Sequence, residues 1–187
     1  MKHCRRGFTL VEIIIALAIL GILLIFVVAN FQTGGYTGQI ENVSRQVASA
    51  VTEARTLTLA GKLTDDAFPA GGYAAAISRL TNSYTIGQVD DVGSFTALRT
   101  VTLPSGVRLI QLCVSDSSQP ATKPCTTPEW TVLAANQVLL VNFTPQGAVV
   151  ISPSGRSGGG SLRQMDSKKE MYFYVSKDSG FVTIGNL

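Results

Sequence analysis

From Phe8 to Phe31 the chain reads FTLVEIIIALAILGILLIFVVANF, in which Glu12 is the one charged residue and the apolar run from Ile13 to Ala29 is unbroken. A helix over this stretch, rising 1.5 Å per residue, is long enough to cross the roughly 30 Å hydrocarbon layer of a bilayer. Soluble core helices are seldom so uniformly apolar, because one of their faces meets water. Beyond Gly34, Gly35 and Gly38 the pattern changes. Ile40, Val43, Val47, Val51, Ala54 and Leu57 recur at steps of three and four, the stripe of an amphipathic helix that should end near Gly61. Glu41, Arg45, Glu53 and Arg55 fall on its wet side, with Glu41 and Arg45 spaced for an ion pair. Each of the three glycines weakens a helix by roughly 1 kcal/mol relative to Ala, so a break is predicted near residues 33–38.

After residue 62 the helical spacing gives way to short strand-like runs: YAAAIS, SYTIGQV, VRLIQLCV, VLLVNF, AVVIS, MYFYVS and FVTI. Pro145-Gln146-Gly147 and Lys177-Asp178-Ser179-Gly180 have turn chemistry, and they predict two antiparallel hairpins. The expected class is α+β: a long N-terminal helix, half transmembrane and half amphipathic, packed on an antiparallel β-sheet. Trp130, Phe143, Tyr172, Phe173 and Tyr174 read as sheet residues. Between the hairpins, residues 152–169 (SPSGRSGGGSLRQMDSKK) read as a flexible stretch, and they hold the one locally basic segment, with Arg156, Arg163, Lys168 and Lys169.

Composition agrees with a chain that faces water only in part: 45% of its 187 residues are hydrophobic and 14% charged, against about 25% charged in a soluble domain. The length suits one domain plus an added segment. The net charge of +3 comes from Lys2, Arg5 and Arg6; without them 12 basic residues balance 12 acidic ones, which gives little support to a broad attraction for polyanions. Those three cations precede the apolar run and place the N-terminus on the cytoplasmic side and the body, from about residue 32, outside. A cleavable secretory signal is cut after its apolar core, whereas here the polar head ends at Gly7, before it.

The chemistry is sparse. His3, the single histidine, lies ahead of the apolar run, so the body has none to serve as base or metal ligand. No phosphate loop or dinucleotide fingerprint is present, and no cofactor, metal or enzymatic activity is expected. Asp65-Asp66 and Asp90-Asp91 have the ligand chemistry for calcium, yet neighbouring aspartates in such loops read as polar turns. Cys113 and Cys125 flank a Ser-, Pro- and Thr-rich loop; in an exported body they are expected to form a disulfide, stabilising by roughly 3 kcal/mol, the alternative being two reduced, buried thiols.

Arg5-Arg6-Gly7-Phe8-Thr9-Leu10-Val11-Glu12, followed by the apolar run, resembles the class III leader and N-terminus of type IV prepilins and pseudopilins. The resemblance implies that an inner-membrane prepilin peptidase cuts between Gly7 and Phe8 and methylates the new amine of Phe8. It also implies that Glu12 pairs with that amine on a neighbouring subunit, as an assembly determinant. The chain then divides into a leader (1–7), a transmembrane helix (8–31), an amphipathic continuation with a Gly-rich break (32–61) and a β-rich periplasmic or extracellular domain (62–187). The implied partners are other pilin or pseudopilin subunits, the inner-membrane assembly platform and the peptidase. The implied location is the inner membrane, crossed once, and then a pilus or pseudopilus. In place of the proline that many major pilins carry near this position, the chain has Ala29-Asn30.

The second half is similar to H-type minor pseudopilins and their minor-pilin relatives, in the hairpin Val141 to Gly147, in Val175 to Gly180 with Phe181-Val182-Thr183, and loosely in AVTEARTLTLAGK. The function implied is that of a minor structural subunit of a type IV pilus. The alternative is an H-type minor pseudopilin of type II protein secretion. From another class comes a minor pilin that binds nucleic acid in DNA uptake through Arg156, Arg163, Lys168 and Lys169, against the plainer reading of these as ordinary solvating charges.

Overall fold

The structure, a computed structural model, describes residues 10–62, 67–117, 124–126 and 128–186, and residues 28–37 by their backbone alone. Among the described residues a 50-residue helix, α1 (Leu10–Leu59), precedes ten strands: β1 (Gly72–Ser78), β2 (Ser83–Val89), β3 (Phe95–Thr102), β4 (Val107–Ser115), β5 (Trp130–Val132), β6 (Val138–Phe143), β7 (Val149–Ser152), β8 (Ser157–Gln164), β9 (Glu170–Ser176) and β10 (Val182–Asn186).

α1 runs through Gly34, Gly35 and Gly38 without interruption, where the sequence predicts a break. The physical reason lies in the flanks. An unwound stretch would forfeit several backbone hydrogen bonds and require a second, costly helix nucleation, which outweighs a propensity loss of about 1 kcal/mol per glycine. The helix does stop where the pattern puts the stop. Gly61 adopts φ +61°, Lys62 N–H reaches the Leu57 carbonyl at 3.2 Å, and Gly61 N–H reaches that of Thr58 at 3.2 Å. This is a Schellman cap, which glycine enters without a Cβ penalty.

The strands form two five-stranded antiparallel sheets rather than the single one expected, in the orders β3-β2-β1-β6-β7 and β10-β9-β8-β4-β5. The β6–β7 and β9–β10 hairpins are present, with Phe143 opposite Val149 and Val182 opposite Val175. α1 buries its stripe against both sheets: Ile40, Val47, Val51 and Ala54 are fully buried, and they share one core with Tyr73, Ile77 and Leu139 of the first sheet and Leu112, Leu162 and Phe173 of the second. Each buried Val, Ile or Leu side chain contributes about 1.5–3 kcal/mol of transfer free energy, so this shared core decides how the helix and the sheets sit together.

The stretch 152–169, expected to be flexible, instead contains β8, which pairs with β4 on one side and β9 on the other. Its run SGGGSLRQ resembles a linker because small residues have little to bury. The glycines are required by close approach. A Cβ on Gly158 would lie 2.8 Å from Leu139 Cδ1 of the opposite sheet, one on Gly159 2.7 Å from the Phe173 carbonyl, and one on Gly160 2.7 Å from the Gln111 carbonyl. β3 and β5 lack a clear alternating signal. β3 is an edge strand with nearly every residue exposed, and β5 is three residues long.

Candidate assembly surface

The two halves of α1 differ in what covers them. Residues Leu10–Val27 have a mean hydropathy of 3.2 and none is buried by the rest of the chain; by length and composition this helix can cross a membrane. Leu10 is 75% exposed and Phe26 66%, so the hydrophobic effect drives this surface into lipid or against similar helices. Glu12 is the one acidic residue in the span. A carboxylate in such a span costs up to about 2.5–3.5 kcal/mol at the bilayer centre on insertion scales and less toward an interface, and Glu12 lies two residues from the start of the span. The expected cleavage position, Gly7 and Phe8, lies outside the described residues.

From Ile40 onward the helix is held by the body. Gln39 Oε1 accepts a hydrogen bond from Gln164 Nε2 at 3.3 Å, and the buried Ser44 hydroxyl donates to the Ile40 carbonyl at 2.9 Å beside Met171. At the far end, the Tyr73 N–H donates to Thr58 Oγ1 at 3.1 Å, which itself lies 3.1 Å from the Phe143 carbonyl. Polar contacts line the wet side. Arg45 pairs with Glu41 at 2.7 Å, Arg99 of β3 pairs with Glu53 at 2.6 Å, and the Arg55 guanidinium lies 4.7 Å from the centre of the Phe181 ring. Burial holds the Tyr84 phenol above its ordinary pKa; the Arg99 charge opposes this shift and the Glu53 charge adds to it. The Glu53–Arg99 link was not legible in the sequence, because β3 carries no strand pattern there.

The four candidate nucleic-acid contacts do not form one patch. Arg156 precedes β8 and Arg163 lies near its end, so roughly 20 Å of strand separates them at about 3.3 Å per residue. Arg163 is paired with Glu170 across the β8–β9 ladder. Lys168 and Lys169 sit in the following turn, beyond that pair. Cys113 and Cys125 form a disulfide with Cα atoms 5.7 Å apart. It pins a loop over β8, where Pro124 Cβ would lie 3.1 Å from a Cβ on Gly159. Among the described residues no group of His, Cys, Asp or Glu is placed to hold a metal ion. Asp90 Oδ1 accepts from the Val92 and Ser94 N–H groups in an ordinary turn, and Asp65 and Asp66 lie outside the described residues.

Residues 2–28 match the family model for the prokaryotic N-terminal methylation motif. The type IV major fimbrial protein FimA of Dichelobacter nodosus is 34% identical over 68 residues, which cover 36% of this chain and 42% of that protein. The chain thus aligns with less than half the length of this relative. Among solved structures, the minor pseudopilin EpsH from the Type 2 Secretion System of Vibrio cholerae superposes with a TM-score of 0.47 at 10% identity, covering 79% of this chain and 97% of that one.

Proposed function

We propose that the chain is a member of the type IV pilin and pseudopilin family, a reading supported by the methylation motif over residues 2–28 and the partial match to a type IV major fimbrial protein, and that it is a minor structural subunit of a type IV pilus, held in the inner membrane by α1 until assembly draws it into the filament. A prepilin peptidase cuts between Gly7 and Phe8 and methylates the Phe8 amine. Glu12 then meets that amine on a neighbouring subunit. The single-pass anchor has its N-terminus in the cytoplasm and the two-sheet body outside, and the partners are other pilins and the inner-membrane platform. The observation that carries this reading is the methylation motif over residues 2–28, which takes in the whole of the uncovered apolar helix Leu10–Val27. Pairing of Glu12 with the Phe8 amine of the next subunit would give the docking step a specific, charge-matched contact within the apolar helix bundle.

The test is the intact mass and N-terminal sequence of the membrane-extracted chain, produced with and without an active prepilin peptidase. A chain that begins at N-methylated Phe8 only with the peptidase supports the proposal. Retention of Met1 to Gly7 in both cases reduces α1 to a plain anchor and removes the role of Glu12. Loss of protein secretion with pili intact, in a strain lacking the chain, would place it in a type II pseudopilus instead.

A further inference from the structure

The ends of the body can be ordered along α1. Gln39, where the helix enters, meets Gln164 and lies beside Gly106, whereas Thr58 meets Tyr73 at the opposite end. The end near Gln39 is therefore the end that faces the apolar span. The Arg79–Asn82 turn joins this end through Asn82, whose side chain donates to the Val107 carbonyl at 2.9 Å. The 165–169 turn joins it through Met165, whose N–H donates to the Gly106 carbonyl at 2.9 Å.

This base is cationic. Arg79 and Arg108 line one open cleft of about 440 Å³ together with Leu80, Asn82 and Ser105, with no carboxylate in its wall. Lys168, exposed, and Lys169, half-buried, lie in the neighbouring turn. None of these four takes part in the three ion pairs found among the described residues. Glu170 is committed to Arg163, and Asp166 is the acid in the 165–169 turn. Leu80 is 72% exposed and Met165 48%, so each turn carries an apolar tip beside its cations.

We propose that this base is a lipid-docking face, on which Arg79, Arg108, Lys168 and Lys169 bind the phosphodiester headgroups of anionic phospholipids in the membrane that α1 spans, with Leu80 and Met165 entering the interface. Charge complementarity and continuity with the anchor support this occupant. Cations next to an anionic bilayer are attracted within a Debye length of its surface. An upright helix places Ile40 about 15 Å beyond Asn30 at 1.5 Å per residue. A headgroup layer of about 5–7 Å and the reach of the arginine side chains narrow that gap, and tilt of the anchor closes the rest. Docking would hold the unassembled subunit leaning on the membrane, and extraction into a filament would release it.

This inference rests on the membrane-anchored reading of α1, so the experiment reads insertion and docking separately. The full chain is reconstituted into vesicles of phosphatidylcholine alone and of phosphatidylcholine with phosphatidylglycerol. Flotation after alkaline carbonate reports insertion, and amide hydrogen exchange reports the base. Exchange at 79–82 and 165–169 should slow several-fold in the anionic vesicles only. The effect should disappear in high salt and in a variant carrying Arg79→Gln, Arg108→Gln, Lys168→Gln and Lys169→Gln, which still floats. Equal exchange in both vesicle types with full insertion overturns docking alone, and failure to float overturns the anchor and docking together. Equal slowing by inorganic phosphate in neutral vesicles would assign the cleft to a soluble anion and overturn the lipid assignment.

Discussion

Gln164, the last residue of β8 and fully buried, donates from Nε2 to Oε1 of Gln39 at 3.3 Å, tying the central strand of the second sheet to the point where α1 enters the body. Gln164 Oε1 is buried and has no protein partner, so this amide already lacks one of its contacts. Gln39→Ala should leave Gln164 without its side-chain acceptor and destabilise the body by about 1–3 kcal/mol. Urea unfolding followed by tryptophan fluorescence measures this, and an unchanged midpoint would count against the contact.

Two glycine substitutions should separate strain from steric exclusion. Gly61→Ala places a side chain at φ +61° with nothing within 4 Å, so it should cost only about 1 kcal/mol, the backbone strain of the cap. Gly160→Ala drives a Cβ to within 2.7 Å of the Gln111 carbonyl and 2.9 Å of Leu112, and overpacking of this kind costs typically 1–3 kcal/mol or more. Thermal unfolding of both variants should rank Gly160→Ala well below Gly61→Ala.

The Cys113–Cys125 bond closes a loop with a sequence separation of 12. Replacement of both cysteines by serine should lower stability by about 3 kcal/mol in the chain-entropy model. Mass spectrometry with and without reduction, combined with denaturation of each form, checks both the pairing and its worth. Equal stability of the oxidised and reduced forms would contradict it.

Tyr84 sets an alkaline limit. Its phenol has a folded pKa raised above the ordinary value of 10.0, chiefly by burial. The unfolded chain therefore ionises first, and the contribution of Tyr84 is complete below about pH 10 and lost as pH rises through the folded value. Stability should fall above pH 10 less steeply in Tyr84→Phe. Arg99→Gln removes the charge that lowers the shift and should move Tyr84 higher still, as read from tyrosinate absorbance.

Glu12→Ala should leave membrane level, processing and the folded body unchanged, while incorporation into filaments drops by at least about tenfold, as expected when a buried charge pair worth a few kcal/mol is missing from the docking step. Immunoblots of sheared filaments against membranes measure the ratio. Normal incorporation would remove Glu12 from assembly.

Much of this protein is local and therefore legible in its sequence. The apolar span, the stripe from Ile40 to Leu57, the stop at Gly61 and the two hairpins all follow from periodicity and turn chemistry over a few neighbouring residues. Tertiary contacts decided the rest. Gly158, Gly159 and Gly160 form a central strand because the opposite sheet at Gly158, Pro124 of the disulfide loop at Gly159 and the flanking strands at Gly159 and Gly160 come too close for a side chain, a constraint set by residues outside the run itself. The strands divide into two sheets because α1 offers its stripe to both. Arg79 and Arg108 line one cleft because a turn and a strand far apart in sequence end on one face. Periodicity reports which face of an element is buried, and only the packed core determines what each face is buried against.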